Sequence, residues 1–219
     1  MLVPRRLRAR AVADRVSVTL ADGGTAVLRP LSDGESGPLL EVFSGMSLES
    51  RALRYLVPMP RLPGALRRNL TRLDGTDRVA WLASVDGRAA GIVRYTRLDD
   101  ELPTAEIAFE IVDDHQGRGL GTALLDTITT VACFNGIRRL HAAVLPENLP
   151  SRRLLSRLDM ALTLDDGILE GTAPLRLLDP ARVDRAAVVR LARADARRGE
   201  AATAADGVVA PTRSRPAFP

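Results

Sequence analysis

The alternation of hydrophobic and polar residues predicts β-strands along much of the chain. Apolar residues at every second position, bounded by turn residues, predict strands at 16–20 and 25–29. Asp86-Gly87 lies between two longer apolar runs and is a strong hairpin signal. Further strands are predicted at 78–85, 88–97, 105–112 and 140–144, with a last hairpin at 160–178.

Apolar residues with helical spacing predict helices between these strands. Leu120 and Leu124 begin an apolar stripe that continues to residue 134 with helical period. Ser32 and Glu35 have the spacing of a capping box, which predicts that a helix begins there. The mixture of elements predicts an α/β (α+β) domain. Other helices are predicted at 47–56, 64–73, 149–158 and, after Asp179-Pro180, at 180–198.

The composition suits one folded domain with tails. Of 219 residues, 46% are hydrophobic but only 3% are aromatic, so we expect a mainly aliphatic core. One cysteine and two histidines argue against disulfides and against a zinc or iron centre. No apolar run approaches the roughly 20 residues of a membrane span. From the cysteine and histidine counts we expect a protein without a metal. No signal-like apolar segment follows the N-terminus, so we also expect a cytoplasmic protein.

All 31 basic residues are arginines, and they concentrate at the two ends of the chain. Residues 1–16 contain five arginines and one aspartate, and 181–219 contain eight arginines and four acidic residues. Because these ends flank an acidic middle, solvated terminal segments are favoured over a nucleic-acid contact. We expect a basic N-terminal segment at 1–15 and, from its Ala, Gly and Pro content, a disordered tail at 199–219.

A glycine-rich segment at 113–122 joins a predicted strand to a predicted helix. Gly117, Gly119 and Gly121 leave no Cβ in the way of a bulky anion. The free N–H groups at the start of the helix favour negative charge, and Arg118 can add a charge-assisted hydrogen bond. A Walker loop would need a lysine, which this chain lacks, and the glycine spacing differs from a dinucleotide fingerprint. The segment therefore predicts a phosphate cradle of another kind.

The spacing Gln116-x-x-Gly119-x-Gly121 resembles motif A of the GNAT superfamily of acyl-CoA-dependent N-acyltransferases. It follows a strand that carries glutamates and opens an amphipathic helix, which strengthens the resemblance. The segment Val-Leu-Pro-Glu-Asn, which ends at Asn148, resembles motif B, in which an asparagine precedes a helix. The resemblance covers about 25–178. Within it, 25–31, 48–54 and 145–148 resemble the GNAT domain of bacterial Pat-type protein lysine acetyltransferases.

The resemblance implies a GNAT fold, a mixed and mostly antiparallel sheet flanked by helices. The fourth and fifth core strands, 105–112 and 139–144, would splay apart to admit the thioester of acetyl-CoA, the implied cosubstrate. Backbone amides would hold the pyrophosphate, main-chain groups of the strand end would pair with the pantetheine arm, and an asparagine would lie near the sulfur. The implied cofactor-binding residues are Ile111, Val112, Gln116, Gly117, Arg118, Gly119, Leu120, Gly121, Thr122 and Asn148.

Glu106 and Glu110 are the candidate catalytic residues. Thioester aminolysis needs a neutral amine, and a carboxylate can take its proton. With period two, both glutamates lie on one face of the strand with Ala108, while Ile107 and Phe109 lie on the other. The Pat-type resemblance implies that Glu106 is the general base. Glu110 is the reserve candidate or an electrostatic guide for the incoming ammonium, and a solvent-facing glutamate pair is the alternative without function.

Leu155 occupies the position at which many GNAT enzymes have a tyrosine that protonates the leaving thiolate. The leading hypothesis is acetyl transfer to a primary amine, either a protein lysine or a small molecule. Because the tyrosine is absent, a non-catalytic acyl-CoA-binding regulatory module is the rival. We expect no membrane or nucleic-acid partner, and a homodimer stays open. The chain would comprise a GNAT domain at 16–178, an appended helix at 179–198 and the tail.

Overall fold

The computed structural model describes residues 15–99 and 103–206. These residues form one sheet of eight strands with six α-helices on its two faces and a short 3-10 helix at Asp113–His115. The strands are β1 (Val16–Thr19), β2 (Thr25–Pro30), β3 (Arg78–Val85), β4 (Arg88–Arg97), β5 (Thr104–Ile111), β6 (Arg139–Val144), β7 (Thr163–Asp165) and β8 (Ile168–Pro174). The helices are α1 (Gly37–Ser44), α2 (Leu48–Tyr55), α3 (Gly64–Thr71), α4 (Leu120–Phe134), α5 (Leu149–Ser156) and α6 (Arg185–Asp206).

The sheet is mixed and mostly antiparallel, which confirms the predicted fold class. Its strand order is β1-β2-β3-β4-β5-β6-β8-β7, and only β5 and β6 pair in parallel. The hairpin between β3 and β4 turns at Asp86 (φ 51°) and Gly87 (φ 79°), as the sequence predicts. Two successive residues with positive φ match the twist of the flanking strands.

The parallel ladder between β5 and β6 is short and opens into a notch. Its last pair joins Glu106 to His141, after pairs at Thr104 and Ala105. Beyond Glu106, β5 continues to Ile111 without further pairing to β6. The predicted splay between the fourth and fifth core strands is therefore confirmed. These strands are β5 and β6 because β1 precedes the core strands.

The two faces of the sheet bury different helices. Helices α4 and α6 pack on one face, where Ile107 and Phe109 of β5 contribute to the main core. On the other face, Leu39 and Val42 of α1 pack over β3 and β4. Glu110 also lies on this second face, because it pairs with Arg54 of α2.

Two helix ends differ from the predictions. Helix α1 begins at Gly37 and not after Ser32: Glu35 accepts the Ser32 N–H as in a capping box, but Gly34 between them has a left-handed backbone (φ 72°) that an α-helix does not contain. Helix α6 begins at Arg185 and not after Asp179-Pro180, because Asp184 accepts the N–H of Ala187 and caps it.

Helix α6 also extends to Asp206, so residues 199–206 of the predicted disordered tail are helical. The residues at 1–14, 100–102 and 207–219 lie outside the described part of the chain. They include nearly all of the predicted basic segment and the rest of the predicted tail. The proposed division into domain, appended helix and tail therefore stays a prediction.

Candidate active site

Glu106 lies at the vertex of the notch, where the β5–β6 ladder ends. Its half-buried side chain borders a cavity of about 100 Å³ between the sheet and helices α2 and α3. Burial raises the pKa of Glu106, His141 and Arg54 act in the opposite direction, and Glu170 adds to the rise. A carboxylate with a raised pKa beside a cavity is a stronger base than an exposed glutamate, which suits proton abstraction.

Glu110 lies on the same face of β5, but it is held by two arginines. Its side chain is 0% exposed, and Oε1 lies 3.2 Å from Nη2 of both Arg54 and Arg94. Arg94 also donates to the carbonyl of Leu70, so it links β4 to the end of α3. This buried triad ties the cavity wall together, and it leaves Glu110 less accessible to an incoming amine than Glu106.

Polar atoms without partners cluster beside this cavity. Nε of Arg54, Nε of Arg94, the Tyr55 hydroxyl and Oε2 of Glu110 are buried and have no hydrogen-bond partner within the described residues. Burial, followed by the charge of Glu110, raises the pKa of Tyr55. Buried polar groups normally have a partner, so a water or a polar group of an acceptor fits here. Sequence analysis did not single out Arg54, Tyr55 or Arg94.

The predicted phosphate cradle forms at the N-terminus of α4. Gly117 (φ 71°) and Gly119 (φ 85°) have left-handed backbone conformations that favour glycine. The first N–H groups of α4 have no acceptor within the helix. Within 15–99 and 103–206, no hydrogen bond uses the backbone N–H groups from Gly117 to Thr122. These groups are available to an anion such as a phosphate.

Side chains of the cradle hold the loop in place. Gln116 donates to the Ile111 carbonyl (3.3 Å) and to Oδ1 of Asp113 (3.2 Å). Arg118 donates from Nε to Oδ2 of Asp22 (2.5 Å), and its Nη1 lies 2.6 Å from Nδ1 of His115. The hydrogen bond with Arg118 lowers the pKa of Asp22. Arg118 is therefore already paired. A phosphate at the predicted contact would share the guanidinium of Arg118 with Asp22.

The remaining cradle residues combine packing with main-chain donors. Leu120 is buried in the main core, and Thr122 is half-buried in the first turn of α4. A Cβ on Gly121 would lie 3.0 Å from Cδ1 of Leu154 and 3.2 Å from Cδ1 of Ile111. Gly121 thus permits close packing of α4 against α5 and β5.

The main-chain groups predicted to contact pantetheine, at Ile111 and Val112, differ in whether they already have hydrogen-bond partners. Val112 donates its N–H to Ala90 (3.0 Å), and its carbonyl accepts from His115 (2.9 Å). Because peptide groups alternate along a strand, the main chain of Ile111 faces the open edge toward β6. Val112 is therefore already paired on both sides, and the N–H of Ile111 is the better candidate for a pantetheine contact, since the Ile111 carbonyl accepts from Gln116.

Asn148 is buried and caps α5. Its Oδ1 accepts the Ser151 N–H (3.1 Å), and its Nδ2 donates to the Leu53 carbonyl of α2 (3.3 Å). The side chain therefore joins the start of α5 to the end of α2 across the site. A contact of Asn148 with acetyl-CoA stays a prediction.

Comparison with known proteins connects this geometry to a family. Residues 48–160 match the sequence profile of the Acetyltransferase (GNAT) family. The chain belongs to this family. Among GNAT structures, the GNAT domain of S. lividans PAT superposes with a TM-score of 0.68 at 32% identity, over 80% of this chain and 100% of that domain.

Two GNAT relatives are curated acetyltransferases. Acetyltransferase Pat of Mycolicibacterium smegmatis is 28% identical over 169 residues, which are 74% of this chain and 49% of Pat. Acetyltransferase PA5475 of Pseudomonas aeruginosa is 31% identical over 140 residues, which are 62% of this chain and 75% of that protein. The chain thus spans about half the length of Pat.

Leu155, at the position of the GNAT tyrosine, is 1% exposed and belongs to the main core. No side chain at that position can protonate a leaving thiolate. In the described ranges, no group of three or more His, Cys, Asp or Glu residues is placed to hold a metal ion. Within the same ranges, no helix is both long and apolar enough to cross a membrane.

Proposed function

We propose that this chain transfers an acetyl group from acetyl-CoA to a primary amine. The observation that carries the proposal is the position of Glu106, at the vertex of the notch and beside a cavity, in a chain whose α4 opens with an unpaired set of N–H groups. Acetyl-CoA, the acyl donor of the GNAT family, would lie with its phosphates on the cradle. Its thioester would reach the notch along the open edge of β5.

In the proposed reaction the nitrogen lone pair of the amine attacks the thioester carbon. The C–N bond forms, the C–S bond breaks and CoA leaves as its thiolate. Glu106 takes the proton of the amine, directly or through a water. A lysine-type amine with a pKa of about 10.4 is mostly protonated near neutral pH, so removing this proton is part of the barrier. General-base assistance typically contributes about 10²–10⁴-fold.

A protein lysine is the first acceptor that we propose, because the sequence resembles Pat-type enzymes and the named relative is Pat. A small-molecule amine is the alternative acceptor within the same chemistry. The buried Leu155 favours a second candidate function, a non-catalytic module that binds acyl-CoA. Such a module would bind acetyl-CoA but release no CoA with any amine.

The variant Glu106→Gln tests the proposal. We expect a fall in turnover of about 10²–10⁴-fold, with the acetyl-CoA dissociation constant changed less than about twofold because the cradle is untouched. Thiol detection of released CoA measures turnover with lysine peptides and with a panel of small amines, and calorimetry measures binding. Glu41→Gln, on the exposed side of α1, is the matched control.

Each alternative outcome has a defined meaning. Unchanged turnover of the Glu106→Gln variant would contradict the assignment of the base. Binding of acetyl-CoA by the wild-type chain without CoA release for any amine would favour the non-catalytic module. Acetylation of small amines but not of lysine peptides would reject the protein lysine.

A further inference from the structure

We propose that Arg182, in the segment that precedes α6, is an additional binding residue for the pyrophosphate of acetyl-CoA. The inference rests on the proposed binding of acetyl-CoA at the cradle, and it adds a contact from outside the matched family region, which ends at residue 160. The exposed guanidinium of Arg182 lies at the cradle itself: its Nη2 is 3.9 Å from the point at which a Cβ of Gly119 would stand.

A buried carboxylate places Arg182 there. Asp126 of α4 is 0% exposed, and its Oδ2 accepts the backbone N–H groups of Arg182 (2.5 Å) and Val183 (3.1 Å). Its Oδ1 accepts Nε (2.9 Å) and Nη2 (2.6 Å) of Arg185. Four donors therefore converge on one carboxylate, which fixes the backbone of the segment at residue 182.

Helix geometry explains why an arginine held by Asp126 can reach the cradle. Asp126 follows Gly119 by seven residues, which is close to two turns, so both lie on one side of α4. Two turns correspond to about 10 Å along the axis. An arginine side chain that starts beside Asp126 can span this distance, and the 3.9 Å approach to Gly119 shows that Arg182 does so.

The charges around the cradle favour a role for Arg182. Arg118 is the arginine of the cradle loop itself, but Asp22 and His115 already pair with it. Within the described residues, no hydrogen bond or ion pair involves the guanidinium of Arg182, whose backbone alone is tied to Asp126. A pyrophosphate on the N–H groups of α4 would give this guanidinium a doubly charged partner.

Calorimetric titration of the full chain with CoA and with 3′-dephospho-CoA tests the assignment. We expect Arg182→Ala to raise the dissociation constants of both ligands about three- to tenfold, as for loss of an exposed charge-assisted hydrogen bond. The salt dependence of binding should also weaken, because one cation no longer faces the phosphates. The exposed Arg190→Ala, one turn into α6, is the matched control and should bind like the wild type.

The outcomes separate this inference from the proposed function. If the wild-type chain binds neither ligand, the proposed function fails. If the wild type binds but Arg182→Ala binds equally well, the role of Arg182 is overturned and the function stands. A weakening for CoA alone would overturn the pyrophosphate assignment, since dephospho-CoA keeps that group. An unchanged thermal unfolding midpoint verifies that the variant is folded.

Discussion

Glu106 is a residue on which several neighbouring charges act. Burial raises its pKa, so it becomes ionised at higher pH than an exposed glutamate, and a protonated Glu106 cannot act as a base. We therefore expect kcat/KM to fall on the acid side at a pH above the ordinary glutamate range. His141 and Arg54 favour the ionised form of Glu106, whereas Glu170 opposes it.

Two substitutions should move this acid limb in opposite directions. His141→Gln removes a favourable charge and should shift the limb to higher pH, while Glu170→Gln removes a repulsive charge and should shift it to lower pH. The measurement is kcat/KM against pH, which reports groups of the free enzyme. Shifts of the same sign, or none in either variant, would be inconsistent with Glu106 as the titrating base.

Glu110 should matter for stability more than for proton transfer. Glu110→Gln would leave the buried guanidinium groups of Arg54 and Arg94 without their shared counter-charge. Removing one partner of such a group costs about 3 kcal/mol or more. Urea unfolding should show this loss. In the control Glu41→Gln, which breaks the exposed pair with Arg88, the change should be about 0.5 kcal/mol or less. Equal effects of both variants would contradict a stabilising triad.

For single residues, the sequence predicts which face of a strand a side chain lies on, but not which distant residue it contacts. Period two correctly assigns Glu106 and Glu110 to one face of β5 and Ile107 to the other. It does not predict that Arg54, 56 positions before Glu110, joins it. Such a contact depends on where α2 packs over the sheet, which local periodicity does not determine.

Among the elements, the junction of α1 and α2 is tied to the start of the cradle. Asp113 donates its N–H to the Gly45 carbonyl (3.3 Å) and accepts the Ser47 N–H at Oδ2 (3.0 Å). A Cβ on Gly45 would lie 2.8 Å from Cγ1 and 2.9 Å from Cγ2 of Val112. Valine is stiff at χ1, so this side chain cannot easily move away.

Gly45→Ala should therefore disturb both packing and binding. We expect a loss of about 1–3 kcal/mol in unfolding free energy from overpacking and weaker binding of CoA, because Val112 directly precedes the cradle turn. Gly37→Ala is the control: a Cβ there meets no atom within 4 Å, and a compatible Gly-to-Ala change stabilises by about 0.4–1 kcal/mol. Wild-type stability and CoA affinity in Gly45→Ala would reject the clash.

The sequence predicts the start of α2 correctly but not the start of α6. The helix predicted at 47–56 has Ser47 as its N-cap, and the Ser47 hydroxyl accepts the Ser50 N–H. For α6 the sequence predicts a start after Asp179-Pro180, whereas Asp184 caps the helix in the structure. The later start depends on Asp126, which holds the segment before Asp184 against α4.

For the whole molecule, the notch and the strand order were predictable only through the family resemblance. Hydrophobic patterning predicts the strands, but no local signal shows that β5 and β6 pair in parallel for three residues and then separate. Local patterning likewise predicts the last helix but not where α6 packs on the molecule. Asp126, the one charged residue of α4, is the sequence signal that a polar partner packs there.

Helix α6 should stabilise the whole molecule through Asp126 and an apolar face. In a chain that ends at Leu178, the unfolding free energy should fall by on the order of 5 kcal/mol, because several buried aliphatic side chains are lost. The buried residues removed are Val183, Ala187, Val188, Leu191 and Ala192.

A thermodynamic cycle tests whether Asp126 acts through this segment. In the full chain, Asp126→Ala leaves four donors without this acceptor and should cost about 2–4 kcal/mol. In the chain that ends at Leu178 these donors are absent, so the same substitution should cost about 0.5 kcal/mol or less. An equal cost in both chains would show that Asp126 serves α4 alone. If the shortened chain does not fold, a cycle of Asp126→Ala with Arg185→Ala in the full chain measures the same coupling.

Because Asp126 also places Arg182, the loss of Asp126 in the full chain should weaken CoA binding as well. A substitution that only destabilises the fold should leave CoA binding unchanged.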